Sequence, residues 1–211
     1  MSTYFIADLH LSPNTPHITR GFLKFLNQEA RQAEAVYILG DLFEFWVGDD
    51  DDNPFNLSIT SALKALTHSG VACYFIQGNR DFLVGDKFCQ KTGVKLLPDE
   101  YVIDLYGTNT LIMHGDTLCT DDVKYQDFRK TVHKPWLQTI FNCIPLWIRQ
   151  KIVQRVQNKA KQDKGDKSLT IMDVNTQAVI DAMNRHQVTQ LIHGHTHRPM
   201  THDYLPLNQT K

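Results

Sequence analysis

Seven side chains able to bind a metal fall in five short blocks of this sequence: Asp8-x-His10, Gly40-Asp41, Gly78-Asn79-Arg80-Asp81, His114-Gly115-Asp116 and His193-Gly194-His195-Thr196-His197. The seven are Asp8, His10, Asp41, Asn79, His114, His195 and His197. Each alone says little, since Asn79 could be a turn residue and His114 a satisfied core histidine. Together they mix carboxylate, amide and imidazole donors, which suit Mn²⁺, Fe²⁺ or Zn²⁺ better than an all-oxygen Mg²⁺ or Ca²⁺ site. Seven donors exceed the needs of one tetrahedral zinc. They fit two metals that share a bridging carboxylate, about 3.5–4 Å apart. Two divalent ions outweigh the charges of Asp8 and Asp41, and Arg80 adds another positive charge. Such a site attracts an anion, and phosphate is the natural one. The matching chemistry is in-line attack on phosphorus by a hydroxide bridging the metals.

The blocks must be brought together by the chain. Each follows an apolar, often β-branched run: Tyr4–Ile6, Val36–Leu39, Tyr74–Ile76, Leu111–Met113 and Leu191–Ile192. Such runs read as strands, and ligands collect at the carboxyl ends of strands in α/β sheets. Period-two alternation places Asp8 with His10, and His195 with His197, on shared faces if these pairs continue their strands. Helical stripes lie between: Ile18, Phe22, Phe25 and Leu26; then Leu57, Leu63 and Leu66, stopped at Gly70; then Val174, Val179, Ile180 and Met183, in a run that begins near Ser168. Strand and helix alternating in this way give βαβ units and a sheet that is at least partly parallel.

One stretch breaks the alternation. From Lys124 to Lys164 there are ten Lys or Arg residues against Asp127 and Asp163, around Trp136, Leu137, Ile140, Phe141, Ile144, Leu146, Trp147 and Ile148. This is an amphipathic insertion of two or three helices. On charge pattern it is either a packed cap with a solvated basic face or a contact with an anionic lipid surface. The acidic run Asp49–Asp52 lacks the glycine and terminal glutamate of an EF-hand loop, and reads as a solvated loop.

Composition sets the outer bounds. The 211 residues suit one domain of ordinary size, and a net charge of −1 announces no nucleic-acid partner. Cys73, Cys89, Cys119 and Cys143 form no Cys-x-x-Cys pair and read as reduced thiols. Neither a basic, apolar leader nor a spanning run of about 18 residues is present, so a cytoplasmic protein is expected.

The five blocks resemble, in order and spacing, the signature of the calcineurin-like metallophosphoesterases. The resemblance implies an α/β fold, a four-layer αββα sandwich of two sheets flanked by helices. It also implies that Asp8, His10, Asp41 and His197 hold one metal, while Asp41 as bridge, Asn79, His114 and His195 hold the other. Where most of that superfamily has histidine after Gly-Asn, this chain has Arg80. A histidine acid is therefore absent there, and Arg80 is read as a clamp on phosphate oxygens, the alternative being a surface ion pair with Asp81.

Longer blocks narrow the resemblance. Gly40-Asp41-Leu42-Phe43-Glu44-x-Trp46, Gly78-Asn79-Arg80-Asp81-Phe82, His114-Gly115-Asp116-x-Leu118-Cys119-Thr120-Asp121-Asp122 and His193 through Pro199 are similar to the pyrophosphohydrolases of the lipid A pathway that cleave UDP-2,3-diacylglucosamine. That similarity spans the chain, including the insertion and Ser168–Val174. It implies attack at the α-phosphorus, release of UMP and 2,3-diacylglucosamine 1-phosphate, two Mn²⁺ ions, and a peripheral place on the inner face of the bacterial inner membrane. The insertion, about 122–166, becomes a lid over the acyl chains. Asn79, Arg80, Asp122, Lys164, Lys167 and His195 become substrate contacts, and Asp41, Asn79, Arg80, His114 and His195 the catalytic set. For Asp122 and Lys167 a helix N-cap and a solvated lysine are the plain alternatives. Two lid positions that are polar in the family read Ala160 and Lys164; lysine can still meet a phosphate, whereas alanine cannot replace a hydroxyl. The sequence stops at Lys211, about thirty residues before the length the resemblance implies, so final strands of the second sheet are expected to be missing or short. Rival readings are a phosphoesterase for nucleotides, nucleic acid or phosphoproteins, and a truncated, inactive membrane-binding homologue.

Overall fold

The computed structural model describes residues 2–163 and 173–203. Five strands stand where the apolar runs place them: β1 (Ser2–Ile6), β2 (Ala33–Ile38), β3 (Ala72–Ile76), β6 (Thr108–Met113) and β7 (Gln190–His193). Two more, β4 (Lys95–Leu97) and β5 (Glu100–Leu105), carry no ligand block and escaped the sequence reading. Strands β1 to β4 form a parallel sheet in that order, and β5-β6-β7 form a second sheet in which β5 runs antiparallel to β6 while β7 runs parallel to it.

Alternation along the strands builds the layers. On β2, Val36 and Ile38 face a core shared with helices α1 (Pro16–Asn27), α2 (Pro54–His68) and α3 (Asp86–Thr92). Their neighbours Tyr37 and Leu39 face the other way, into a layer between the sheets with Ile76, Ile103 and Ile112. On β6, Leu111 and Met113 pack outward against Val179 and Ala182 of a helix at Thr176–His186. The result is helix, sheet, sheet, helix. Burying each of these aliphatic side chains contributes about 1.5–3 kcal/mol.

Two helix assignments shift. Leu57 is 43 % exposed, and the buried stripe of α2 runs Ile59, Leu63, Leu66. Leu57 lies six residues before Leu63, which on a 3.6-residue period puts it on another face. The helix expected to start near Ser168 begins at Thr176, because Asn175 accepts the Gln177 and Ala178 N–H groups at 2.9 and 3.2 Å and caps it. Val174 precedes it and packs below; Ser168 lies outside the described residues.

Between β6 and that helix stand α4 (Val123–Val132), α5 (Pro135–Cys143) and α6 (Leu146–Asp163), which makes the helix at Thr176–His186 α7. Helices α4 and α5 bury no residue fully, while Trp136, Ile140 and Trp147 are exposed. Phe141 instead packs against the first core.

Candidate metal centre

All seven candidate ligand residues converge at the carboxyl ends of β1, β2, β3, β6 and β7, but not as continuations of the strands. Strand β1 stops at Ile6 and β7 at His193. Asp8, His10, Asp41, His195 and His197 all have left-handed backbone, with φ between 46° and 72°. Non-glycine residues rarely adopt that region, and it gathers at functional sites where surrounding bonds enforce it. Strand alternation therefore does not place the side chains of Asp-x-His and His-x-His, because residues in this conformation no longer alternate as in a strand. Asp8 and His10 do lie together. His195 and His197 part company.

The enforcing bonds are visible. The N–H groups of Asp8 and His10 donate to the carbonyls of Gly40 and Asp41 at 3.1 and 3.0 Å, and the His195 N–H donates to Asp8 Oδ2 at 2.8 Å. Asp81, fully buried, accepts from the N–H groups of Gly78 and Asp41 on Oδ1 (2.8 and 3.1 Å) and of Leu42 and Phe43 on Oδ2 (2.8 and 3.4 Å). It ties the β2 and β3 ligand loops together. A Cβ at Gly78 would stand 2.3 Å from Asp41 Oδ1, so only glycine lets these loops meet. The ion pair between Arg80 and Asp81 weighed from sequence does not form; Asp81 is committed to backbone.

The donor atoms of Asp8, His10 and His197 lie within 4.8 Å of one another, and those of Asp8, Asp41 and His114 form a second such group. His10 Nε2 faces His197 Nε2 at 3.1 Å. The Asn79 side-chain oxygen lies 3.1 Å from both His114 Nε2 and His195 Nδ1. Asp41, itself buried, turns Oδ2 toward His10 Nε2 (3.6 Å) and Oδ1 toward His114 Nε2 (3.8 Å). Asp8 Oδ1 is buried with no hydrogen-bond partner. A buried unpartnered carboxylate oxygen is costly in a protein interior, and a cation among these imidazoles would answer it. The donors present therefore fit metal ions.

Electrostatics agree. Burial pushes the Asp41 carboxyl above its usual range, a cost that a cation would relieve. Burial, reinforced by the nearby His114, lowers His195 to about 3 and leaves its imidazole neutral, as a ligand must be. Burial works against a charged His114, yet Asp41, Asp116 and the Leu39 carbonyl outweigh it and raise that imidazole. The Leu39 carbonyl sits 2.8 Å from His114 Nδ1; receiving a proton there leaves Nε2 free to ligate.

Several neighbours were not assigned roles from sequence. Asp116 is buried and accepts from Tyr125 Oη (2.5 Å) and Arg129 Nε (2.6 Å), fastening α4 beside the centre, and the Tyr125 ring stacks on His195. Glu44 approaches His10 Nδ1 (3.1 Å) and Arg80 (3.7 Å). Asp116 and Glu44 both sit within the quoted motifs, but nothing in the sequence says which atoms they meet. The Arg80 guanidinium lies 4.9 Å over Phe45, with Nε making no hydrogen bond. Asp122 accepts the Tyr125 N–H at 3.2 Å and caps α4. Lys164 and Lys167 lie outside the described residues.

Asp81→Asn is expected to lower stability by roughly 3 kcal/mol, because an amide NH₂ would replace an acceptor facing two backbone donors. Urea denaturation of the metal-free protein would measure this; an unchanged midpoint would remove Asp81 as the tie between the loops.

The calcineurin-like phosphoesterase profile matches residues 1–199. The UDP-2,3-diacylglucosamine hydrolase of Escherichia coli O7:K1 is 58% identical over 209 residues, covering 99% of this chain and 87% of that protein. The same-named protein of Escherichia fergusonii is also 58% identical over 209 residues, with the same coverage.

Proposed function

The chain belongs to the calcineurin-like phosphoesterase family, and from that membership we propose that it hydrolyses the pyrophosphate bond of UDP-2,3-diacylglucosamine to UMP and 2,3-diacylglucosamine 1-phosphate. Identity of 58% to hydrolases of that name, along nearly the whole chain, supports the substrate. The observation that carries the chemistry is Asp41, one buried carboxylate whose two oxygens face His10 on one side and His114 on the other. Asp8, His10, Asp41 and His197 would hold one ion, and Asp41, Asn79, His114 and His195 the other. Bound there, two metals supply an activated water and neutralise charge on the phosphoryl group; manganese is the proposed ion, with iron or zinc as alternatives.

The chain's own residues do the rest. Arg80 offers a guanidinium that lies over Phe45 and 3.7 Å from Glu44, suited to phosphate oxygens as charge builds. Its backbone N–H donates to Asp41 Oδ1 at 2.8 Å and holds that carboxylate in its bridging orientation. Asn79 and His195, 3.1 Å apart, present the second ligand group toward the same space. Helices α4 to α6 are proposed as a lid over the acyl chains, with Asp122, Lys164 and Lys167 toward the glucosamine phosphate end. Exposed Trp136, Ile140 and Trp147 in a basic setting favour a peripheral place on the inner membrane face. Among the described residues no helix is long and apolar enough to cross a membrane.

The test is UMP release from the glycolipid nucleotide in detergent micelles, with Mn²⁺ and with chelator. Manganese-dependent release is expected. Cleavage of bis(p-nitrophenyl) phosphate without UMP release would leave the metal chemistry standing and overturn the substrate.

A further inference from the structure

Among the described residues, Arg149 near the start of α6 is the one buried lysine or arginine, at 1 % exposure. A buried guanidinium needs its donors filled. Nε donates to the Ile144 carbonyl (2.8 Å), Nη1 to the Val47 carbonyl (2.6 Å), and Nη2 to the Asp50 carboxylate. The receiving loop is shaped for it. Gly48 has φ +139°, and a Cβ there would stand 2.2 Å from Arg149 Nη1. Asp49 braces the loop, accepting from Trp46 Nε1 (2.9 Å) and from the N–H groups of Gly85 (3.2 Å) and Phe88 (2.9 Å). The acidic run keeps Asp50 and Asp52 exposed, as a solvated loop does, while its 47–50 end forms a socket for Arg149.

The socket leads to the metal centre, since the Trp46 N–H donates to the Arg80 carbonyl at 3.1 Å. Across the site, Arg129 and Tyr125 fix α4 to Asp116. The inserted helices are thus fastened at one end to a loop after β6 and at the other to a loop after β2. We propose that Arg149 is a positioning residue that seats α6 in the 47–50 socket and so sets where a lipid-bearing substrate lies relative to Arg80, without touching the substrate itself. This rests on the lid reading above.

The test uses Arg149→Ala, Arg149→Lys and Asp50→Asn in the full chain with Mn²⁺. Arg149→Ala is expected to raise KM for UDP-2,3-diacylglucosamine about tenfold or more, while turnover of bis(p-nitrophenyl) phosphate stays within about twofold. Amide exchange across residues 146–156 should accelerate about tenfold as α6 loses its anchor. Arg149→Lys should recover part of both effects, since an ammonium can reach one carbonyl but not three acceptors. Asp50→Asn should move both readouts less in the same direction; its half-exposed side chain makes misfolding a small concern, so it decides the matter if Arg149→Ala does not fold. Equal loss on both substrates, or an unchanged KM with unchanged exchange, would overturn the proposal. If the wild type cleaves the small diester but releases no UMP, the substrate reading has failed, and the exchange of 146–156 still decides the role of Arg149.

Discussion

Asp41→Ala is expected to lower UMP release by at least about 10³-fold, equivalent to roughly 4 kcal/mol of transition-state stabilisation. The size follows from what one side chain does. Asp41 is 2% exposed and turns one oxygen to His10 and the other to His114, so its removal costs both proposed ligand groups a member. It also strips the acceptor from the Arg80 N–H, which loosens the residue proposed to clamp phosphate. Metal content should fall together with activity, read by elemental analysis of the purified variant beside the UMP assay. Asp41→Asn is the informative control, because it keeps the shape and removes the charge proposed to bridge two cations. Near-normal turnover in the alanine variant would refute a shared bridge.

Arg80→Ala should separate these quantities. Turnover is expected to drop about 10²–10³-fold, the range seen when one preorganised donor to a developing charge is removed. Metal content should stay near that of the unaltered protein. The guanidinium lies beside Glu44 and over Phe45, while the bond to Asp41 is made by the backbone N–H, which alanine keeps. Arg80→Lys should recover only part, since an ammonium cannot make the planar two-point contact. If metal loss proves to be the main effect, Arg80 supports the ligands and is not a clamp.

Much of this was legible in the sequence, because it rests on local periodicity. Continuous apolar runs in Val36–Leu39 and Leu111–Met113 specify strands with two buried faces, which a layered sandwich covers. The ligand blocks follow such runs, so a cluster at one edge of the sheets followed from spacing alone. Strands β4 and β5 were missed because Lys95–Leu97 is short and Glu100–Leu105 carries acidic residues and no ligand block. In the stripe of α2, Leu63 and Leu66 are buried as their spacing predicts, and only Leu57, apolar yet exposed, lies off that face.

What the sequence by itself determined is the set of donors, their order, and the mixture of charges that calls for metals and a phosphate. Tertiary structure alone decided how they are shared. His195 and His197, two residues apart, meet different partners, His114 and His10, because left-handed backbone, enforced by bonds such as that from the His195 N–H to Asp8 across 187 residues, overrides strand alternation. Asp81 as the tie between loops, Asp116 as the seat of α4, and the 47–50 loop as a socket for Arg149 share that origin. Each is a polar side chain whose partner lies far along the chain, and local spacing carries no record of a partner that only folding brings within reach.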